Sequence, residues 1–215
     1  QMRKSLKTDW LSKVKKIKRW ENIYHLIILP AYKEGQKVIE ESLDAFLKSF
    51  YPTEKMIVIL SVEERAAKEF FNTAKVLEKK YSNKFFKFII TLPTKNIEGE
   101  IAGKGSNSVW AAEVAKTKII DPLKIPYKNI IVSNFDIDTK VYPYYFACLT
   151  WNYLTAKKPL RASYQPVPVY NNNVWSTPSF SRVVATSNTF WQMVQQARTE
   201  RLTTYSTHAM PFQAW

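Results

Sequence analysis

The chain is sparing with several residues, and each shortage closes off a class of protein. Among 215 residues there is one cysteine, Cys148, so no intrachain disulfide forms and a reducing compartment suits the sequence better than an oxidising one. No run of 18 or more apolar residues occurs, so no segment here is able to span a bilayer as a helix, and the first residues lack the apolar stretch of a secretory signal. Glycine is used only four times. Aspartate stops at Asp138, and Glu200 is the one acid beyond it.

The scarce glycines are not spread evenly. Three of the four, Gly99, Gly103 and Gly105, fall within seven residues, a density that goes with unusual backbone angles or with close approach of a ligand to the main chain. Residues 103–108, G-K-G-S-N-S, open a predicted helix through Val109, Trp110, Ala111, Ala112 and Val114. Free N–H groups, the positive end of a helix dipole and Lys104 therefore gather at one spot suited to an anion. Taken alone, the same letters also describe a surface loop with an incidental lysine. A P-loop is excluded, because Gly99 and Gly103 enclose three residues instead of four and Lys104 is followed by Gly105. A dinucleotide fold is excluded as well, since the first strand leads into P-A-Y-K-E-G at 30–35 and not into a glycine triplet.

Apolar and aromatic side chains are plentiful, at 46% and 14%, which is enough for the core of one domain and too much for a disordered chain. Residues 25–30 (H-L-I-I-L-P), 56–60 (M-I-V-I-L) and 85–92 read as strands. Between them, Ile39, Leu43, Phe46, Leu47 and Phe50 keep helical spacing until Pro52, and Ala66, Ala67, Phe70, Phe71, Ala74, Leu77 and Tyr81 mark a second helix. Such alternation predicts an α/β fold, a Rossmann-like, mostly parallel sheet reached by right-handed crossovers, with helices on both faces. Residues 25–215 would form this domain. Later, residues 161–170 predict a strand that Pro166 and Pro168 confine to an edge, and a helix is expected from Pro178 or Ser179 to about Arg198. The aromatics Tyr142, Tyr144, Tyr145, Phe146, Trp151 and Tyr153 fit either a sugar-stacking platform or a helix packing its rings into the core.

The net charge of +14 is concentrated. Residues 1–20 hold eight Lys or Arg against Asp9 alone, half of the whole excess. Leu6, Trp10, Val14 and Ile17 recur there at helical spacing, so residues 1–24 read as a basic amphipathic segment, either lying on an anionic membrane surface or packed on the domain. With the charge so localised, no nucleic acid partner is expected.

Residues 129–139, N-I-I-V-S-N-F-D-I-D-T, run from a buried-strand pattern straight into two carboxylates. In a parallel sheet the carboxyl ends of strands collect ligands, and residues two apart on an extended chain point the same way. Asp136 and Asp138 are thus candidate ligands for one hard cation; the plainer reading is a polar turn that closes a strand.

Three segments in this order resemble the family 2 glycosyltransferases: P-A-Y-K-E at 30–34, G-K-G-S-N at 103–107 and F-D-I-D-T at 135–139. The resemblance spans about residues 25–215 and implies a glycosyltransferase-A fold, a nucleotide-sugar donor, a uridine one by expectation, and Mg2+ or Mn2+. It implies that Ala31, Tyr32 and Glu34 lie against the nucleoside, Lys104 near the base and diphosphate, Asp136 by the ribose and metal, and Asp138 on the metal. The chain departs from the family at 60–65, L-S-V-E-E-R, where many members carry Asp-Asp-Gly-Ser. Glu63 or Glu64 either replaces the base-reading acid or charges the first turn of the next helix. His208 is a candidate for the acceptor or diphosphate, or a structural histidine. The family's catalytic base follows a segment like T-H-A-M-P-F-Q-A-W, so the base is expected after Trp215, with acceptor site and any membrane helices also downstream, and the work is expected at the cytoplasmic face of a membrane. A sugar nucleotidyltransferase would need a glycine-rich loop after the first strand. The remaining alternative is a non-catalytic basic module that binds anionic lipid or nucleic acid through residues 1–20.

Overall fold

A computed structural model describes residues 2–63, 67–91, 104–169, 178–196 and 207–215. Five strands form one sheet: β1 (Tyr24–Ala31), β2 (Met56–Val62), β3 (Lys87–Thr91), β4 (Ile130–Asn134) and β5 (His208–Pro211). Their order is β3-β2-β1-β4-β5, parallel throughout except for the β4–β5 pair. All seven residues of β2 are buried, as a strand covered on both faces requires. Period-2 alternation divides β1 between two cores. Ile27 and Leu29 join the side built with α3 (Gln36–Leu47) and α4 (Ala67–Tyr81), while Leu26 and Ile28 join the side built with α5 (Lys104–Ala115) and the π-helical turn Lys116–Ile120 that continues it. Each such side chain, fully buried, contributes about 1.5–3 kcal/mol. The mostly parallel α/β sheet with helices on both faces is therefore the fold the sequence predicts.

Boundaries differ in ways that follow from pairing. β1 and β2 run past their apolar cores to Ala31 and Val62, because the two strands stay in register there. β3 starts two residues late, at Lys87, since the Phe86 N–H is taken by the Thr53 carbonyl at 3.0 Å. No strand forms over 161–169. Tyr164 alone makes an antiparallel bridge, with Ala209 beside β5, and Pro166 and Pro168 have no N–H with which to extend it. The last helix, α7 (Ser179–Gln196), begins where Pro178 predicts; the expected stretch to Arg198 lies outside the described residues.

The N-terminal segment is two short helices, not one. α1 (Met2–Lys7) and α2 (Trp10–Lys15) are separated at Asp9, whose carboxylate accepts from the Ser12 N–H at 2.9 Å and caps α2. The apolar side is used within the domain: Val14 is wholly buried, and the Trp10 ring lies 5.2 Å from that of Trp151 on α6 (Tyr145–Thr155). Lys13 Nζ sits over both rings, at 4.9 and 5.5 Å. Packing on the domain, the second of the two readings, is what occurs along this side. The aromatics of α6 likewise fill the core, with Phe146 and Tyr153 buried. Among the described residues no helix is long and apolar enough to cross a membrane.

Candidate functional site

Parallel neighbours end at the same edge of a sheet, so β1, β2 and β4 deliver their outgoing loops to one place. Pairing continues just beyond the strands: the Glu63 N–H donates to the Ala31 carbonyl at 2.8 Å, and the Phe135 N–H to Ile28 at 3.1 Å. The chain winds from β1 through β2 to β3 on one side, then crosses to β4 on the other, which makes the gap between the loops of β1 and β4 a topological switch point. A cleft of about 520 Å³ opens there. It is lined by Ala31, Tyr32, Glu34, Glu63, Asp136 and Asp138, together with Pro30, Val38, Glu41, Ile137 and Lys140.

Local structure explains the acidic wall. After β4, burial alternates: Phe135 and Ile137 are buried and Asp136 and Asp138 exposed, so the strand's two-residue period carries into the turn and sends both carboxylates to one side. Apolar side chains anchor what the acids display. The turn closes through the Thr139 N–H on the Asp136 carbonyl at 3.0 Å, and buried Ser42 on α3 donates to the Ile137 carbonyl at 2.7 Å. Thr207 Oγ1 reaches Asp136 Oδ2 at 3.3 Å. Across the cleft, Glu34 folds back on its own loop, where Oε2 accepts from the Tyr32 N–H at 2.6 Å, and Lys33 Nζ lies 5.0 Å from the Tyr32 ring. Lys140 pairs with Glu41 at 2.7 Å, which holds the Glu41 carboxyl below its ordinary pKa.

Not every sequence candidate joins this group. His208 does not line the cleft; it pairs with Asn134 in the β4–β5 ladder, and its ring stacks on Trp215 at 5.8 Å and 14°. Its neighbour Thr207 contacts Asp136. Lys104 begins α5, but its side chain, with Gly99, Gly103 and Glu64, lies outside the described residues. The first turns of α5 do sit at the right edge, since Ser61 Oγ near the end of β2 donates to the Asn107 carbonyl at 3.1 Å and Ser108 Oγ lies 3.2 Å from Asn134 Oδ1 at the end of β4. At Gly105 an added Cβ would meet nothing within 4 Å among the described residues. Two charged residues of the cleft went unread in the sequence, Glu41 and Lys140. The signal for Lys140 was present, because it continues the two-residue spacing of Asp136 and Asp138.

Asp136 and Asp138 supply only hard carboxylate oxygens, the donor type of Mg2+ and Mn2+. Among the described residues no group of three or more His, Cys, Asp and Glu side chains is arranged to hold a metal. Two carboxylates on one side of the turn fit a cation whose other positions go to water and phosphate.

No protein-family model and no curated protein matches the chain. Among solved structures it is similar to the mannosyltransferase PcManGT from Pyrobaculum calidifontis in complex with GDP-Man and Mn2+, with 19% identity, a TM-score of 0.47, and coverage of 74% of this chain and 43% of that one. It is also similar to S. aureus TarS 1-349, with 12% identity, a TM-score of 0.48, and coverage of 88% and 47%. The chain spans less than half the length of either structure. Likeness at this level says nothing about chemistry, which rests on the cleft itself.

Proposed function

We propose that this chain binds the donor for a metal-assisted glycosyltransferase reaction that uses a nucleotide sugar, a uridine diphosphate one. One observation carries the reading: the loops after β1, β2 and β4 meet at the switch point, with Asp136 and Asp138 projecting into the same cleft as Ala31, Tyr32, Glu34 and Glu63. That is where open α/β sheets bind nucleotides.

In transfer, the bond from the anomeric carbon to the diphosphate breaks and an acceptor hydroxyl takes its place. The leaving diphosphate accumulates negative charge, and Mg2+ or Mn2+ on Asp136 and Asp138 would neutralise it as a Lewis acid. The protein's share is positional. Ala31 and Tyr32 form a wall for the nucleoside, Glu34 is held by the Tyr32 N–H with a carboxylate that accepts from base or ribose donors, and Glu63, just past β2, lines the same cleft on the side of the base. The Ser42–Ile137 bond keeps the acidic turn in place before the ligand arrives.

Titration calorimetry of UDP with and without Mn2+ tests the reading. Mn2+ is expected to tighten binding at least about tenfold, or about 1.4 kcal/mol, and Asp138→Ala to abolish that gain. Affinity indifferent to both the metal and the substitution would refute the assignment.

A further inference from the structure

The acids of the cleft come with a cation that the proposed donor site has not yet used. Among the described lining residues there are five carboxylates, Glu34, Glu41, Glu63, Asp136 and Asp138, and one ammonium, Lys140. A diphosphate approaching such a wall is repelled wherever no positive charge stands between. Lys140 lies two residues beyond Asp138, on the exposed side of the same turn.

Lys140 is held by a contact that is easily broken. Its Nζ sits 2.7 Å from Glu41 Oε2, but the side chains are 40% and 42% exposed, so water solvates both partners and the pair gains little by closing. The frame around the pair is firmer. Ser42, next to Glu41 on α3, is wholly buried and bonded to Ile137 at 2.7 Å, which ties the helix to the turn. The backbones on both sides of the ion pair are thus fixed, while the four-carbon stem of Lys140 leaves its ammonium free to swing. An ammonium is a point charge with three donors and takes phosphate oxygens as readily as carboxylate oxygens.

We propose that Lys140 is a diphosphate-binding residue of the donor site and that Glu41 competes for it. Without donor the ammonium pairs with Glu41; when the nucleotide binds, it turns to the phosphate oxygens and Glu41 returns to water. This rests on the donor-site reading and adds to it a built-in competitor that sets affinity for the diphosphate and leaves affinity for the nucleoside unchanged.

The test is titration of the full chain with UDP and, separately, with uridine, both with Mn2+, on the wild type, Lys140→Met, Glu41→Gln and the double variant. Lys140→Met is expected to weaken UDP about tenfold and Glu41→Gln to tighten it about two- to fivefold, the range of a surface charge contact, with uridine unchanged in both. In the double variant the Glu41→Gln gain should vanish, because there is no ammonium left to release. The proposal is overturned if Glu41→Gln weakens UDP or leaves it unchanged, if its gain persists without Lys140, or if Lys140→Met weakens uridine as much as UDP. A wild type whose UDP affinity ignores both Mn2+ and Asp138→Ala sinks the donor-site reading as well. Intact metal dependence with unresponsive Lys140 and Glu41 variants sinks this inference alone.

Discussion

Replacing Ser42 by alanine probes how the acidic turn is held. The Ser42 hydroxyl is wholly buried and donates at 2.7 Å to the carbonyl of Ile137, the residue between Asp136 and Asp138. Alanine removes the donor and leaves that carbonyl buried without it, at a cost of about 1–3 kcal/mol. For a chain of this size each kcal/mol moves Tm by about 2–4 °C, so the fall should be roughly 2–12 °C. Ser49→Ala is the matched control. Its hydroxyl also donates at 2.7 Å to a carbonyl, that of Phe46, but Phe46 still accepts from the Ser49 N–H at 3.1 Å. That carbonyl is never orphaned, and the cost should stay below about 1 kcal/mol. Scanning calorimetry reads the stabilities, and titration of UDP with Mn2+ reads the turn: Ser42→Ala should weaken the metal-assisted part of binding and Ser49→Ala should not. Equal losses of Tm in the two variants, or a destabilised Ser42→Ala with unchanged metal dependence, would show that α3 does not position the acids.

Two further expectations concern the core and the N-terminal segment. Burial holds the His25 imidazole at about 3, against an ordinary 6.5, with Thr150 Oγ1 2.8 Å from Nε2. Between those values the unfolded chain binds a proton the folded one refuses, so this group's stabilisation is complete above about pH 6.5 and is lost as pH falls toward 3, at up to about 1.4 kcal/mol per pH unit. Urea unfolding at several pH values should show that slope, and His25→Phe should flatten it; parallel slopes would contradict the assignment. Trp10→Ala removes the ring packed at a tilt against Trp151 and the platform under Lys13, and should cost about 1–2 kcal/mol while UDP affinity stays the same. An unchanged Tm would mean that α2 does not dock on α6.

The parts of this protein that could be read from its letters are those set by local periodicity. Buried runs at 56–60 and 130–132 predicted β2 and β4, and the spacing of Ile39, Leu43 and Phe46 predicted the buried stripe of α3. Where local signals competed, the sequence was a poorer guide. The helical spacing of Leu6, Trp10, Val14 and Ile17 was interrupted by the side-chain cap of Asp9, and the pattern at 161–170 yielded a single bridge because two prolines withheld donors. His208 was read as a candidate for the acceptor or diphosphate, or as a structural histidine; its ring stacks on Trp215, and its neighbour Thr207 reaches Asp136.

By itself the sequence determined a mostly parallel α/β sheet with helices on both faces and a paired-carboxylate turn after a buried strand, because the two-residue and 3.6-residue periods are properties of the covalent chain. Only the tertiary structure decided that β1 lies between β2 and β4, and hence that residues 31–34, 63 and 136–138 share one cleft. It alone joined Ser42 to Ile137 across 95 residues and set Glu41 against Lys140. Such contacts depend on which faces remain free once the core has closed, a balance of burial summed over the whole molecule that no short stretch of sequence contains.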